Sequence, residues 1–302
     1  MKRVQIPKTD LKVSRICLGT MTFGTPVGHD EAVKLVHYAY NKGINFIDTA
    51  NMYEGYNRYI GSAGGVAEEI IGKALAGRRD DFVLATKVGN KVGEAPEDEG
   101  SSPAAIAKHL DLSLKRMGTD CVDIYYLHRP DESTPMINIL QALQEVIKTG
   151  KIRYYGISNY SAEQTSALLA VADKNGFPRP VIHQPAMSYL TQDTLSDLLP
   201  LCKKEHIAVA PYRVLESGLL TGKYRRGQAI PADSRKADKD SWVWDLNDTL
   251  FDKIEAFEAE ANEIGLPMAQ YAIRWALDQA AVVSAIIGVK RTEQIDEAVA
   301  AL

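Results

Sequence analysis

Eight short β-branched or aromatic runs are each followed by a longer amphipathic stretch. This alternation constrains the fold more than any other feature of the chain. The runs lie at 15–19, 45–48, 82–86, 124–127, 154–157, 181–183, 208–210 and 285–287. Helical periodicity fills the intervals at 30–42, 66–76, 103–117, 135–149, 161–175, 191–205, 246–263 with 267–279, and 292–300. Start signals agree: Ser102 precedes Pro103, Ser161 has Gln164 three residues on, and Thr292 precedes Glu293. Gly43, Gly118, Gly150 and Gly176 supply stops. Strand and helix alternating through short loops imply parallel strands with right-handed crossovers. Eight such units predict an α/β fold of the (β/α)8 TIM-barrel type, with residues 1–302 as one domain.

Three departures from plain alternation carry further expectations. The opening stretch RVQIPKTDLKVS alternates around a Lys8-Thr9-Asp10 turn and predicts an N-terminal β-hairpin that plugs one barrel end. Two helical patterns before the last strand predict additional helices near the C-terminus. Residues 222–245 are too long for an ordinary βα connection, which points to a lid over the site or to an oligomer contact. No G-x-G-x-x-G follows the first run, which argues against a doubly wound dinucleotide-binding fold. The GSAGG stretch at 61–65 lacks that spacing and reads as a flexible loop.

Composition narrows the partners. The chain of 302 residues is 45% hydrophobic and 25% charged, with a net charge of −4, an ordinary globular balance. No basic stripe stands out, so neither nucleic acid nor a membrane is expected as a partner. The first residues, MKRVQIPKTD, have no apolar signal core, and a cytoplasmic protein is expected. Cys17, Cys121 and Cys202 form no C-x-x-C pair and read as reduced thiols. The six histidines show no metal-ligand spacing, so no metal is expected.

In a (β/α)8 barrel the reactive groups sit at the C-terminal ends of the strands. Asp48 ends the second run, and Tyr53 follows in its loop. Lys87 ends the third run, and His128 ends the fourth. A phenol is a poor proton donor at neutral pH. An ammonium beside it favours the phenolate, and a carboxylate keeps that ammonium charged where it is buried. A histidine can then hydrogen-bond the substrate oxygen. Such a quartet suits proton delivery to a carbonyl oxygen while hydride reaches carbon. Each residue alone has a plainer reading: a turn aspartate, a pocket-wall tyrosine, a Schiff-base or surface lysine, a structural histidine.

The phrases FIDTANMY, LATK, YYLH, YYGISN, HQPAMSY, GLLTGKY and IIGVKRTEQIDEAV follow one another in order along the chain. Together the sequence resembles the aldo-keto reductase superfamily, in its bacterial-type and potassium-channel-β-subunit-like branch. The resemblance implies Asp48, Tyr53, Lys87 and His128 as the catalytic tetrad, with Tyr53 as general acid. It implies NADP(H) bound extended, and a small-molecule carbonyl substrate. Ser158, Asn159 and Gln184 match groups that hold the nicotinamide carboxamide, and Tyr212 matches the aromatic that stacks on its ring. Gly19, Thr20, Met21 and Asp48 fall near the coenzyme. Arg213, Leu215 and Ser217 fall in the loop that covers the pyrophosphate, and Gly288, Lys290, Arg291 and Gln294 fall where the adenosine phosphate is read.

Two departures from the family pattern stand out. Arg213-Val214 replaces the usual Ser-Pro after Tyr212, which opens a phosphate contact or an ion pair to Glu216. Ala298 stands where an asparagine that touches adenine is frequent. Met21, Met52, Tyr56, Arg129 and Trp242 or Trp244 are candidate neighbours of the substrate. Arg129 beside His128 hints at an anionic or polar one. The competing reading from another class is a coenzyme-binding, redox-sensing regulatory subunit with little turnover. The oligomeric state stays open.

Overall fold

The chain is described by a computed structural model covering residues 1–302, except for the side chain of Asp240. Strands β1 (Arg3–Gln5) and β2 (Lys12–Ser14) pair antiparallel, with Val4 opposite Val13. The barrel units follow: β3 (Ile16–Gly19) and α1 (His29–Asn41), β4 (Phe46–Asp48) and α2 (Val66–Leu75), β5 (Val83–Val88) and α3 (Pro103–Met117). Next come β6 (Val122–Leu127) and α4 (Met136–Lys148), β7 (Ile152–Ser158) and α5 (Ala162–Asn175), β8 (Ile182–Gln184) and α6 (Leu198–Glu205). The last are β9 (Ala208–Val209), with α7 (Arg235–Asp238), α8 (Asp248–Glu263) and α9 (Met268–Leu277), and β10 (Ala285–Gly288) with α10 (Thr292–Ala300).

Strands β3 to β10 are parallel and run in sequence order around the sheet, with β10 beside β3. Backbone bonds close the ring between β9 and the approach to β10. Val209 N–H donates to Ala281 O at 2.8 Å, and Val283 N–H donates to Val209 O at 2.9 Å. A further bond from Ile286 N–H to Pro211 O at 3.0 Å completes the seam. The (β/α)8 barrel expected from the alternation is the fold observed.

A strand shows its side chains to opposite faces in turn. Phe46, Val83, Ala85, Ile124, Tyr126 and Ile182 therefore fill the barrel interior. Ile47, Leu84, Tyr125, Leu127 and Ile157 face the helices and form the larger core. The hairpin closes the floor: Ile6, Leu11 and Val13 are buried against the interior set. Tyr126 has room only because Gly156 lies opposite it; a Cβ there would stand 2.5 Å from the Tyr126 ring.

Several boundaries differ from the sequence expectation; β6 and β7 each begin two residues earlier, at Val122 and Ile152. The third strand continues through Val88, which puts Lys87 inside it rather than just past its end. Helix is absent from the first half of 191–205. Asp193–Leu195 is one 3-10 turn, and α6 starts at Leu198 with Asp197 accepting its N–H. Pro200 explains the shift. It has no N–H to give and is tolerated only in a first turn, so the helix begins just before it. The GSAGG stretch is packed. Gly64 has φ +64, and a Cβ on it would stand 2.2 Å from Asn51 O, so only glycine allows that approach.

Candidate active site

The period of two decides which side chains point into the barrel mouth. Val83, Ala85 and Lys87 face inward along β5, and Phe46 and Asp48 do so along β4. The same count on β6 brings His128 inward after Ile124 and Tyr126. On β7 and β8 it brings in Ser158 and Gln184, which are paired across the two strands. Neighbouring strands thus deliver an acid, a base and an imidazole to one spot. Behind β5, the outward Thr86 hydroxyl donates to Glu68 Oε1 at 2.6 Å. Glu68 of α2 is buried and also takes a bond from Arg116 of α3 at 3.0 Å. This network ties the strand that carries Lys87 to two helices.

Lys87 is fully buried, and its ammonium has three acceptors. They are Asp48 Oδ2 at 2.6 Å, Thr49 O at 2.8 Å and the Tyr53 hydroxyl at 3.3 Å. The other Asp48 oxygen accepts from Gln184 Nε2 at 2.7 Å. An ammonium has three N–H groups, so this one is satisfied in full. Because the Tyr53 oxygen accepts from Lys87, its own proton is free to point elsewhere. The His128 ring stands edge-on to the Tyr53 ring, with centroids 6.0 Å apart.

These groups open into a cavity of about 470 Å3, lined by all of the quartet except Lys87, which lies beneath Tyr53. The volume is of the size that takes a small molecule or part of a coenzyme. Every residue assigned by resemblance to the coenzyme lines it: Gly19, Thr20, Met21, Asp48, Ser158, Asn159, Gln184, Tyr212, Arg213, Leu215, Ser217, Gly288, Lys290, Arg291 and Gln294. Asn159, at φ +62, donates to His128 O at 2.9 Å and accepts from the Tyr212 hydroxyl at 2.8 Å. Ser158 Oγ donates to Gln184 O at 2.8 Å. Arg213 reaches Glu216 Oε1 at 3.5 Å, so the ion-pair alternative is the arrangement present. Gln294 Oε1 accepts from Lys290 N–H at 2.6 Å, at the start of α10. Lys290 and Arg291 lean on Asp238 at 3.0 Å and Asp233 at 3.4 Å.

The sequence pattern of the aldo/keto reductase family matches residues 15–302. A probable voltage-gated potassium channel subunit beta from Arabidopsis thaliana is 36% identical, over 98% of this chain and 90% of its own length. The L-glyceraldehyde 3-phosphate reductase of Escherichia coli (strain K12) is 34% identical, over 98% of this chain and 86% of its own. The solved glycerol dehydrogenase of Gluconobacter oxydans superposes with a TM-score of 0.81 at 30% identity, covering 99% of this chain and 89% of that one. The chain belongs to the aldo/keto reductase family.

It is an NAD(P)H-dependent oxidoreductase, and its site has the electrostatics to match. Burial lowers the Lys87 pKa, but Asp48 and the Tyr53 oxygen together outweigh it and leave the ammonium raised. Burial pushes the Tyr53 phenol up. Lys87 pulls it down, as expected from the sequence, but does not overcome burial. The resting phenol therefore keeps its proton. Burial drives His128 well down, and the nearby charges of Lys87, Arg58 and Arg129 add to the shift.

Other parts of this reductase's mouth were not legible in the sequence. Arg58 lines the cavity, and so do Lys223, Asp233 and Arg235 from 222–245. That segment is a wall of the site. Val243 near its end is buried with Leu250 and Phe257 of α8 and Met268 of α9. Met21, Met52, Tyr56 and Trp242 line the cavity as expected, whereas Arg129 and Trp244 do not. Arg129 instead points outward and pairs with Glu99 at 2.5 Å.

The burial of His128 gives a direct expectation. A histidine whose folded pKa is depressed binds fewer protons than it does unfolded. Its stabilising contribution is complete above about 6.5, the unfolded value, and is lost as pH falls toward the folded one. Carbon-13 NMR of labelled histidine should show the His128 ring neutral and unshifted between about pH 7.5 and 5.5. A midpoint near the ordinary value of about 6.5 would contradict that placement.

Proposed function

We propose that this aldo/keto reductase, acting as a single domain over residues 1–302, reduces an aldehyde or ketone to an alcohol with NADPH and uses Tyr53 as general acid. The observation that carries the reading is the hydrogen bond from Lys87 to the Tyr53 oxygen at 3.3 Å, which leaves the phenol proton free at the cavity wall. A nicotinamide coenzyme, when bound, supplies hydride to the carbonyl carbon. Tyr53 gives its proton to the carbonyl oxygen as that oxygen gains charge. Lys87 stabilises the phenolate left behind, at the moment when stabilisation lowers the barrier. Asp48 keeps Lys87 charged and fixed. Neutral His128 borders the same space and offers a hydrogen bond to the reacting oxygen.

The donor set fits the coenzyme. Asn159, Ser158 and Gln184 bring amide and hydroxyl groups to one side of the cavity, as a directional carboxamide requires. Tyr212 adds an aromatic face beside them. At the far side Lys223, Arg235, Lys290 and Arg291 line the wall, and α10 begins at Thr292. A 2′-phosphate meets cations and helix N–H groups together there. Two relatives are named for small oxygenated substrates, glyceraldehyde 3-phosphate and glycerol, which supports a small carbonyl compound.

Tyr53→Phe removes the hydroxyl and keeps the ring. Turnover in a chemistry-limited assay should fall roughly 10²–10⁴-fold, with coenzyme affinity almost unchanged. A variant with half the wild-type rate would take Tyr53 out of the role. Tight NADPH binding with no turnover of any aldehyde or ketone would favour the regulatory reading instead. For coenzyme choice, Arg291→Ala should weaken NADPH by roughly 10- to 100-fold and leave NADH nearly untouched, as measured by tryptophan quenching. Equal weakening of both, or a wild-type preference for NADH, would remove the 2′-phosphate from this segment.

A further inference from the structure

Arg58 follows Tyr53 in the loop after β4 and lines the same cavity as Tyr53, Met52, Tyr56 and His128. It is half-buried. One hydrogen bond holds it, from Nη2 to Lys91 O at 2.9 Å. Its Nε is shielded from solvent and has no acceptor. Among the described residues, no carboxylate comes within 4.0 Å of the guanidinium. Glu54 lines the cavity too and attracts Arg58, but from beyond ion-pair distance.

Several other cations at this mouth differ in this respect. Arg213 has Glu216, Lys290 has Asp238, and Arg291 has Asp233. Arg129, the arginine that adjoins His128 in the sequence, has Glu99 outside the cavity. A guanidinium cannot shed its proton, so a half-buried one without a contacting counter-ion carries a desolvation cost that the distant pull of Glu54 offsets only in part. The backbone bond to Lys91 engages one of its five N–H groups. With Nε shielded, the remaining N–H groups of the two Nη atoms form the planar end suited to a carboxylate or a phosphate. Its charge also helps to keep the His128 ring neutral.

We propose that Arg58 binds an anionic group, a carboxylate or a phosphate, carried by the carbonyl substrate itself. The proposal rests on the reductase reading above and names its substrate class: small aldehydes or ketones with a negative charge. Arg58 is then the specificity-determining residue. Its fork fixes the charged end of the molecule while the carbonyl oxygen faces Tyr53 and His128.

The test compares two matched pairs of aldehydes with wild type, Arg58→Met and Arg58→Lys. Butanal is set against succinic semialdehyde, and glyceraldehyde against glyceraldehyde 3-phosphate. Wild type should favour the anionic member of at least one pair in kcat/KM, and the pair that shows it distinguishes carboxylate from phosphate. Arg58→Met should cut the preference about 10- to 100-fold, chiefly through KM. Arg58→Lys keeps the charge without the fork and should recover part of the loss, which excludes a folding defect. Absence of an anionic preference in wild type, or an equal loss on both members of each pair, would overturn the proposal and leave the reductase reading standing. If neither these aldehydes nor any ketone turns over, the reductase reading fails. Calorimetric binding of succinic semialdehyde and glyceraldehyde 3-phosphate to the NADPH-loaded protein then decides alone. Binding lost only in Arg58→Met supports the anion site, and binding absent from or equal in wild type and variant removes it.

Discussion

The buried ion pair between Lys87 and Asp48 is the interaction on which the rest of the structure depends. An ammonium inside a barrel is tolerated only where its charge and all its donors are met. Here three strands cooperate to meet them: β5 carries Lys87, β4 brings Asp48 and the Thr49 carbonyl, and β8 brings Gln184 to the second carboxylate oxygen. Removing one partner of such a pair typically costs about 3–5 kcal/mol, because the other charge stays buried. The pair therefore requires a fixed register between these strands. In return it places a permanent positive charge against the oxygen of Tyr53.

That arrangement gives the cavity a polarity along its length. Near the barrel axis the phenol is neutral and the imidazole is neutral, so a proton and a hydrogen bond are on offer without net charge. Farther out, cations gather on the wall made by 222–245 and the start of α10. The loop between β9 and that wall is held in an unusual shape. Arg213, Glu216 and Ser217 have φ of +63, +41 and +56, values that cost about 1–3 kcal/mol each in non-glycine residues. Glu216 accounts for its persistence. The side chain is buried and accepts from Ser188 at 2.7 Å and Thr191 at 2.9 Å, while also facing Arg213. The replacement of Ser-Pro by Arg-Val after Tyr212 thus goes with a loop clamped from below by a carboxylate.

Much of this was legible because two periods, 2.0 for strands and 3.6 for helices, fix direction as well as element type. Counting by two from Phe46, Val83 and Ile124 is enough to send Asp48, Lys87 and His128 to one mouth. The shape of the outer site escaped this logic because it lies in loops, where no period applies. Arg58 and Arg129 look alike in sequence, and Arg129 even adjoins His128. Only the path of the loop after Tyr53 turns Arg58 inward, and the pull of Glu99 turns Arg129 out. The direction of the Tyr53 shift was missed for a different reason: the attraction of a lysine is visible in sequence, whereas the depth of burial that outweighs it is not. Likewise the helical pattern of 191–205 concealed the boundary that Pro200 imposes.

The coupling of Lys87 to Tyr53 is measured most directly by a double-mutant cycle in single-turnover carbonyl reduction. Lys87→Met, Tyr53→Phe and the double variant are compared with wild type, and folding is checked by circular dichroism. If the ammonium acts only through the phenol oxygen it touches, each single change should remove most of the rate. The double variant should then be scarcely slower than either, because groups that act as one unit are not additive. Losses that multiply, with the double variant slower by the product of the two single effects, would contradict a shared proton-delivery unit and place Lys87 in a separate role.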